Sequence, residues 1–161
     1  YQIKNGTDYF VVLGTTAETP TLTKAEREEL VKFVTAQING RVPIVLGMGG
    51  NCTKALVEEL RSTDLSQVDA ILSVTPYYNK TSPHGLVKHF TAIAESVSVP
   101  VILYNVPSRT GVNILPETYL ELSKHENLVG FKEANGNISS NSLCQSESGE
   151  NAKPSALSRL A

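Results

Sequence analysis

Cysteine is scarce in this chain of 161 residues: there are two, Cys52 and Cys144, far apart and without a partnering pattern. That usage suits a reducing compartment and provides neither a disulfide framework nor a zinc site. Excess charge is also lacking. A formal net charge of -2 offers no basic field for nucleic acid and no cationic face for a membrane. No apolar run approaches the roughly 20 residues of a membrane span. No charged-then-apolar leader is visible, and nothing in the sequence argues for secretion. The expectation is a cytoplasmic protein with an ordinary composition and enough length for one domain with a real core.

What is present is alternation. Tyr9 to Leu13 is β-branched and aromatic and runs into Gly14-Thr15-Thr16, the pattern of a buried parallel strand ending in a polar turn. Thr23 followed by Glu26 makes a capping box for a helix, with Leu30, Phe33, Val34 and Ile38 as its expected core-facing stripe and Asn39-Gly40 as its stop. The plan then repeats. Val42 to Leu46 is a strand, Gly47 to Asn51 a turn, and Thr53 onward a helix with the stripe Leu56, Val57 and Leu60. Ala70 to Val74 is a third strand, ending at Thr75-Pro76-Tyr77-Tyr78-Asn79. Ser82-Pro83 opens the next helix, whose inner face is Leu86, Phe90, Ile93 and Ala94. A fourth strand, Val99 to Tyr104, leads into a loop from Asn105 to Gly111, and a helix runs from Leu115 to about Lys124. Leu128 to Lys132 is the fifth strand. Strands alternating with helices imply right-handed crossovers and a parallel sheet, so the fold class is α/β.

Two regions lie outside this rhythm. The opening, Tyr1 to Phe10, reads as the end of a helix and a turn at Asn5-Gly6, as though the chain started inside a longer one. After Asn137 the periodicity stops, and residues 138–161 hold seven serines in 24 positions. The division expected is a partial (β/α) barrel over residues 1–137 and a Ser-rich tail over 138–161, poorly ordered or foreign to the fold.

Chemistry collects at the strand ends. Lys132 closes an apolar strand, and lysine is seldom buried without a reason. It is either an edge-strand lysine, one neutralised by Glu133, or an amine made nucleophilic by desolvation that attacks a ketone to form an iminium. Gly14-Thr15-Thr16 is either an ordinary capping turn or a set of backbone N–H groups that hold a carboxylate. Gly47 to Asn51 lacks the dinucleotide spacing and the lysine-serine ending of a phosphate loop, so it is a tight turn. Tyr77, Tyr78 and Tyr104 are core aromatics or phenols that relay protons. Arg109, between Pro107 and Gly111, is a surface arginine or a fork for a carboxylate. His84, His89 and His125 show no ligand spacing and are assigned to solvated helix faces.

Together GTTAETPTLT, VTPYYNKTSP, YNVPSRTG and GFKEANGN resemble, in order and spacing, the dihydrodipicolinate synthase family, pyruvate-dependent class I aldolases and lyases built as TIM (β/α)8 barrels. The resemblance covers about Tyr1 to Asn137. It implies a Schiff base between Lys132 and pyruvate, a pyruvate carboxylate held at Thr15 and Thr16, and a proton relay of Thr15, Tyr104 and Tyr78. It implies that Tyr78 serves a neighbouring subunit and that Arg109 binds the carboxylate of aspartate semialdehyde. It further implies a role in lysine biosynthesis, no metal or organic cofactor, and a homotetrameric dimer of dimers.

The sequence departs from the family in three ways. Ala17 replaces the usual glycine and would strain the turn if φ there were positive. Relatives inhibited by lysine carry histidine and glutamate where Arg27 and Ala55 stand here, which argues against feedback although Asn51 and Tyr77 match. Five of the eight strands of a barrel are accounted for. The alternatives are a related pyruvate lyase, acting on N-acetylneuraminate or a 2-keto-3-deoxy sugar acid, and a catalytically inactive fragment of such a barrel.

Overall fold

The computed structural model describes residues 1–136; the Ser-rich stretch lies outside the described residues. In chain order the elements are β1 (Phe10–Val12), α1 (Lys24–Ile38), β2 (Ile44–Gly47), α2 (Thr53–Ser62), β3 (Ala70–Val74), α3 (Pro83–Ala94), β4 (Val101–Asn105), α4 (Pro107–Thr110), α5 (Pro116–Leu122) and β5 (Leu128–Glu133). The five strands form one parallel sheet in the order β1-β2-β3-β4-β5.

That order decides the architecture. Each strand pairs with its successor, and right-handed crossovers then carry every helix to the same face of the sheet. A doubly wound sheet would reverse direction at a switch point, and none occurs among the described strands. The packing agrees. Leu56, Leu60, Leu86, Phe90, Ile93 and Leu122 from the helices join Leu46, Ile71, Val101 and Leu103 from the strands in one core. The opposite face forms a second, smaller cluster built from Val45, Ala70, Leu72, Ile102, Tyr104 and Val106. This is the sheet of a partial (β/α) barrel, and the second cluster is its inner, lumenal face.

Local signals behave as their chemistry dictates. Thr23 Oγ1 accepts the Glu26 N–H at 3.3 Å while the Glu26 carboxylate accepts the Thr23 N–H at 2.7 Å, closing the expected box. Ser82 caps α3 with Pro83 at its first position. Three expectations fail. Phe33 is 62% exposed, because α1 turns Val31 and Val34 rather than Phe33 onto the core. His89 is not on a solvated face. It is 3% exposed, between Thr53 Oγ1, 2.8 Å from Nδ1, and the ring of Phe90. The stretch after β4 is not a plain loop, since Pro107 to Thr110 closes one helical turn capped by Gly111 at φ 70°.

One irregularity in the sheet matters more than any of these. Val101 pairs with Leu128, yet Ile102 pairs with Gly130, so Val129 is an extra residue in β5. Side chains along a strand alternate, and one inserted residue swaps the faces of everything after it. Leu128 faces the helices beside Val101. Strict alternation from Leu128 would send Lys132 to that same side. The bulge instead sets Lys132 against Tyr104 on the inner face and Glu133 against Asn105 on the helix side.

Candidate active site

Lys132 and Tyr104 are register partners at the carboxyl ends of β5 and β4, and Lys132 Nζ lies 4.3 Å from the centroid of the Tyr104 ring. Tyr104 is buried and Lys132 is exposed. Desolvation, expected to activate the amine, is therefore absent in this structure. What Lys132 has instead is the face of the Tyr104 ring. Below the pair, Val45, Leu72, Ile102 and Phe131 line a cavity of about 130 Å³ that reaches across to Tyr9 and Val11 of the β1 end.

The Thr15-Thr16 turn sits at the carboxyl end of β1. Gly47 of β2 makes its position possible: a Cβ there would stand 2.3 Å from the carbonyl oxygen of Leu13. Leu13 is held at φ 56°, with Thr19 Oγ1 donating to its carbonyl at 3.1 Å. The chain then enters a 3-10 turn, Thr15–Ala17, closed by Ala17 N–H to the Gly14 carbonyl at 2.9 Å. The N–H groups of Thr15 and Thr16 take no backbone partner among the described residues. Two donors without backbone partners at a strand end suit a carboxylate. Ala17 carries no strain, because the left-handed residue is its successor, Glu18, at φ 50°.

Arg109 is mounted on α4. Its neighbour Thr110 is buried and bonds through Oγ1 to the carbonyls of Val106 and Val112, which fixes the turn that presents the exposed guanidinium. Tyr78 is 88% exposed at φ 72°, unusual for a bulky residue. The loop bearing it is tied down by Asn79, whose Nδ2 donates to the Asn51 carbonyl at 3.1 Å. Strain of this kind persists where surrounding bonds over-determine the backbone, and it concentrates at functional sites.

The structure thus brings Lys132 and Tyr104 into contact and sets Thr15, Thr16, Tyr78 and Arg109 on the segments that follow strands of the same parallel sheet. The expected Thr15–Tyr104–Tyr78 relay is not joined: no hydrogen bond links these hydroxyls among the described residues. Glu133 does not neutralise Lys132 either. The side chains of adjacent strand residues point to opposite faces, and the Glu133 carboxylate accepts from Asn105, Tyr119 and the Asn135 N–H on the helix side. Period-2 alternation alone would have excluded the neutralised-lysine reading. The roles of Asn105, Tyr119 and Glu133 had no such signal, because they meet only in the fold. Arg27 pairs with Glu59 at 3.1 Å, tying α1 to α2. Among the described residues, no cluster of His, Cys, Asp or Glu could hold a metal ion, and no helix is long and apolar enough to cross a membrane.

Known proteins share this fold. The chain is 54% identical over 139 residues to the 4-hydroxy-tetrahydrodipicolinate synthase of Parabacteroides distasonis, a match covering 86% of this chain and 47% of that protein. Among solved structures, a dihydrodipicolinate synthase from Bacillus anthracis superposes with a TM-score of 0.88 at 41% identity, covering 94% of this chain and 52% of that one. The chloride-inhibited dihydrodipicolinate synthase from Acinetobacter baumannii, solved with pyruvate, gives a TM-score of 0.85 at 40% identity, covering 90% of this chain and 50% of that one. The chain spans about half the length of the curated relatives it matches. The model of the Dihydrodipicolinate synthetase family matches residues 1–152, and with the five-stranded parallel sheet and its lysine-tyrosine pair this chain belongs to that family.

Proposed function

We propose that this chain carries the pyruvate-activating half of a 4-hydroxy-tetrahydrodipicolinate synthase, which condenses pyruvate with aspartate semialdehyde in lysine biosynthesis. The observation that carries the reading is the Lys132–Tyr104 pair on the inner face at the strands' carboxyl ends. Unprotonated Lys132 Nζ adds to the ketone carbon of pyruvate, and the carbinolamine loses water to give an iminium. The iminium nitrogen is positive, and the Tyr104 ring beside it favours that charge. The iminium draws electrons from the adjacent methyl, which gives up a proton and becomes the nucleophilic carbon of an enamine. That carbon bonds to the aldehyde carbon of the second substrate, whose oxygen takes up a proton. The amino group of the second substrate then closes the ring, and Lys132 is released.

Thr15 and Thr16 hold the pyruvate carboxylate through their unpaired N–H groups, which keeps the ketone facing Lys132. Arg109 takes the carboxylate of the semialdehyde, where a planar two-pronged donor is worth more than a point charge. Tyr104, Thr15 and Tyr78 move the protons. Tyr78 does so from a neighbouring subunit in a dimer of dimers, a role that fits its exposed position at φ 72°. Lys132 supplies the electron sink itself, so the reaction uses neither metal nor organic cofactor, and it takes place in the cytoplasm. The solved relative with pyruvate bound supports the choice of first substrate.

The test is reduction with borohydride in the presence of pyruvate, followed by peptide mapping. A stable pyruvate-derived mass on Lys132 is expected. An unmodified Lys132 at saturating pyruvate would remove the mechanism from this chain.

A further inference from the structure

The inner face explains what Lys132 meets, but not what keeps it there. β5 has β4 on one side only among the described strands, and Lys132 lies one residue from the strand's end. Its placement depends on the bulge at Val129, without which it would point at the helices. A bulged strand end with one paired neighbour needs a fastening.

Resting on the reading of Lys132 as the Schiff-base lysine, we propose that Glu133 is a positioning residue that locks the bulged end of β5 from behind. Its carboxylate gathers donors from three parts of the chain. Oε2 accepts the Tyr119 hydroxyl of α5 at 2.8 Å, Oε1 accepts the Asn135 N–H at 2.9 Å, and Asn105 Nδ2 of β4 lies 3.0 Å from both oxygens. Asn105 is fully buried and its orientation is forced. Its Oδ1 accepts the Ile114 N–H at 3.2 Å, and a backbone N–H can only donate, so Nδ2 must face Glu133. Nδ2 also donates to Asn113 Oδ1 at 2.8 Å, which anchors the network to the segment between α4 and α5.

Both oxygens of Glu133 therefore face obligate donors, and only a carboxylate satisfies them. An amide would put an NH2 group against Asn105 Nδ2 or against the Asn135 N–H. A carboxylate accepting several N–H and O–H bonds is rigid, because each bond to the charged group is short and directional. Asn105 of β4, Tyr119 of α5 and the Asn135 N–H beyond β5 together hold the strand end in the one register that keeps Lys132 beside Tyr104. The nucleophile and its fastening occupy consecutive residues, and alternation along the strand gives each its own face.

The experiment compares the chain with Glu133→Gln and, as a gentler change, Tyr119→Phe. Pyruvate trapping at Lys132 is measured as a rate against pyruvate concentration, and amide hydrogen exchange is followed across the sheet. In Glu133→Gln the saturating trapping rate should fall about 10- to 100-fold, the cost of an amine misplaced by about an ångström, while the half-saturating pyruvate concentration stays put. Tyr119→Phe should give a smaller fall of the same kind. Exchange should quicken at residues 131–135 and remain unchanged in β2 and β3. A wild-type trapping rate in Glu133→Gln overturns the proposal, and so does a loss of protection spread over the whole sheet, which would mean general destabilisation. If the unmodified chain does not trap pyruvate at Lys132, the Schiff-base reading fails by itself. Exchange then decides the clamp: quickening confined to residues 131–135 supports it, and unaltered protection there overturns it.

Discussion

On the helix side of the sheet, Leu46, Ile71, Val101 and Leu103 are sealed beneath Leu60, Leu86, Phe90 and Ile93, none of them more than 4% exposed. On the inner side, Tyr9 and Val11 are 40% and 41% exposed, and Lys132 stands open over its cavity. The same strands supply both faces. Burying apolar area drives folding, and here the helix side supplies most of it, which leaves the inner side free to carry groups chosen for reactivity. Stability and chemistry are thus divided between alternate residues of each strand. Leu103, packed under the helices, and Tyr104, on the inner face beside Lys132, are such neighbours.

Substitutions can break that division or sharpen it. The largest effect should come from Phe90→Ala, which empties a fully buried site and should cost about 3 to 5 kcal/mol in denaturant unfolding. Its inner-face counterpart, Val11→Ala, should cost less than about 1 kcal/mol. Equal losses from the two would refute the division.

Acid should attack the helix side next. Burial pushes the His89 imidazole down to about 4 from its ordinary 6.5, so it is neutral in the fold. The unfolded chain protonates this residue first as pH falls, and the folded chain resists. Its contribution is therefore fully present above pH 6.5 and is lost as pH drops toward 4. The expected loss is on the order of 3 kcal/mol, seen as a falling unfolding midpoint. His89→Leu should flatten that part of the profile.

Thr23→Ala removes the capping box of α1 and should cost about 1 kcal/mol, an intermediate value for a helix end remote from either face. The smallest stability change should fall on the proposed Schiff-base residue. Lys132→Ala should leave the unfolding free energy within about 0.5 kcal/mol, since the side chain is exposed, and yet abolish the pyruvate adduct.

Much of the helix side was legible in advance because its signals are local. Thr23 and Glu26 are three residues apart, Ser82 precedes Pro83, and Leu86, Phe90 and Ile93 repeat at helical spacing. Each needs only its own segment to act. The failures arose where a neighbour decides. Phe33 belongs to the apolar spacing of α1, but it is Val31, Val34 and Ile38 that meet the core. His89 lies on the buried side of α3 because Thr53 of α2 offers a hydrogen bond to a ring nitrogen. Sequence spacing does not contain that partner.

The chain itself therefore determined the alternation of strands and helices, the caps, the delivery of Thr15, Tyr104, Arg109 and Lys132 to strand ends, and a motif set specific enough to imply the family. These follow from propensities and periodicities within about a dozen residues. Tertiary structure alone decided which way the lysine points. A bulge exists only relative to a partner strand, and it took the pairing of β5 with β4 to turn Lys132 toward Tyr104 and Glu133 toward Asn105 and Tyr119. One inserted residue reverses every face beyond it, and local sequence carries no record of the register in which a strand will pair.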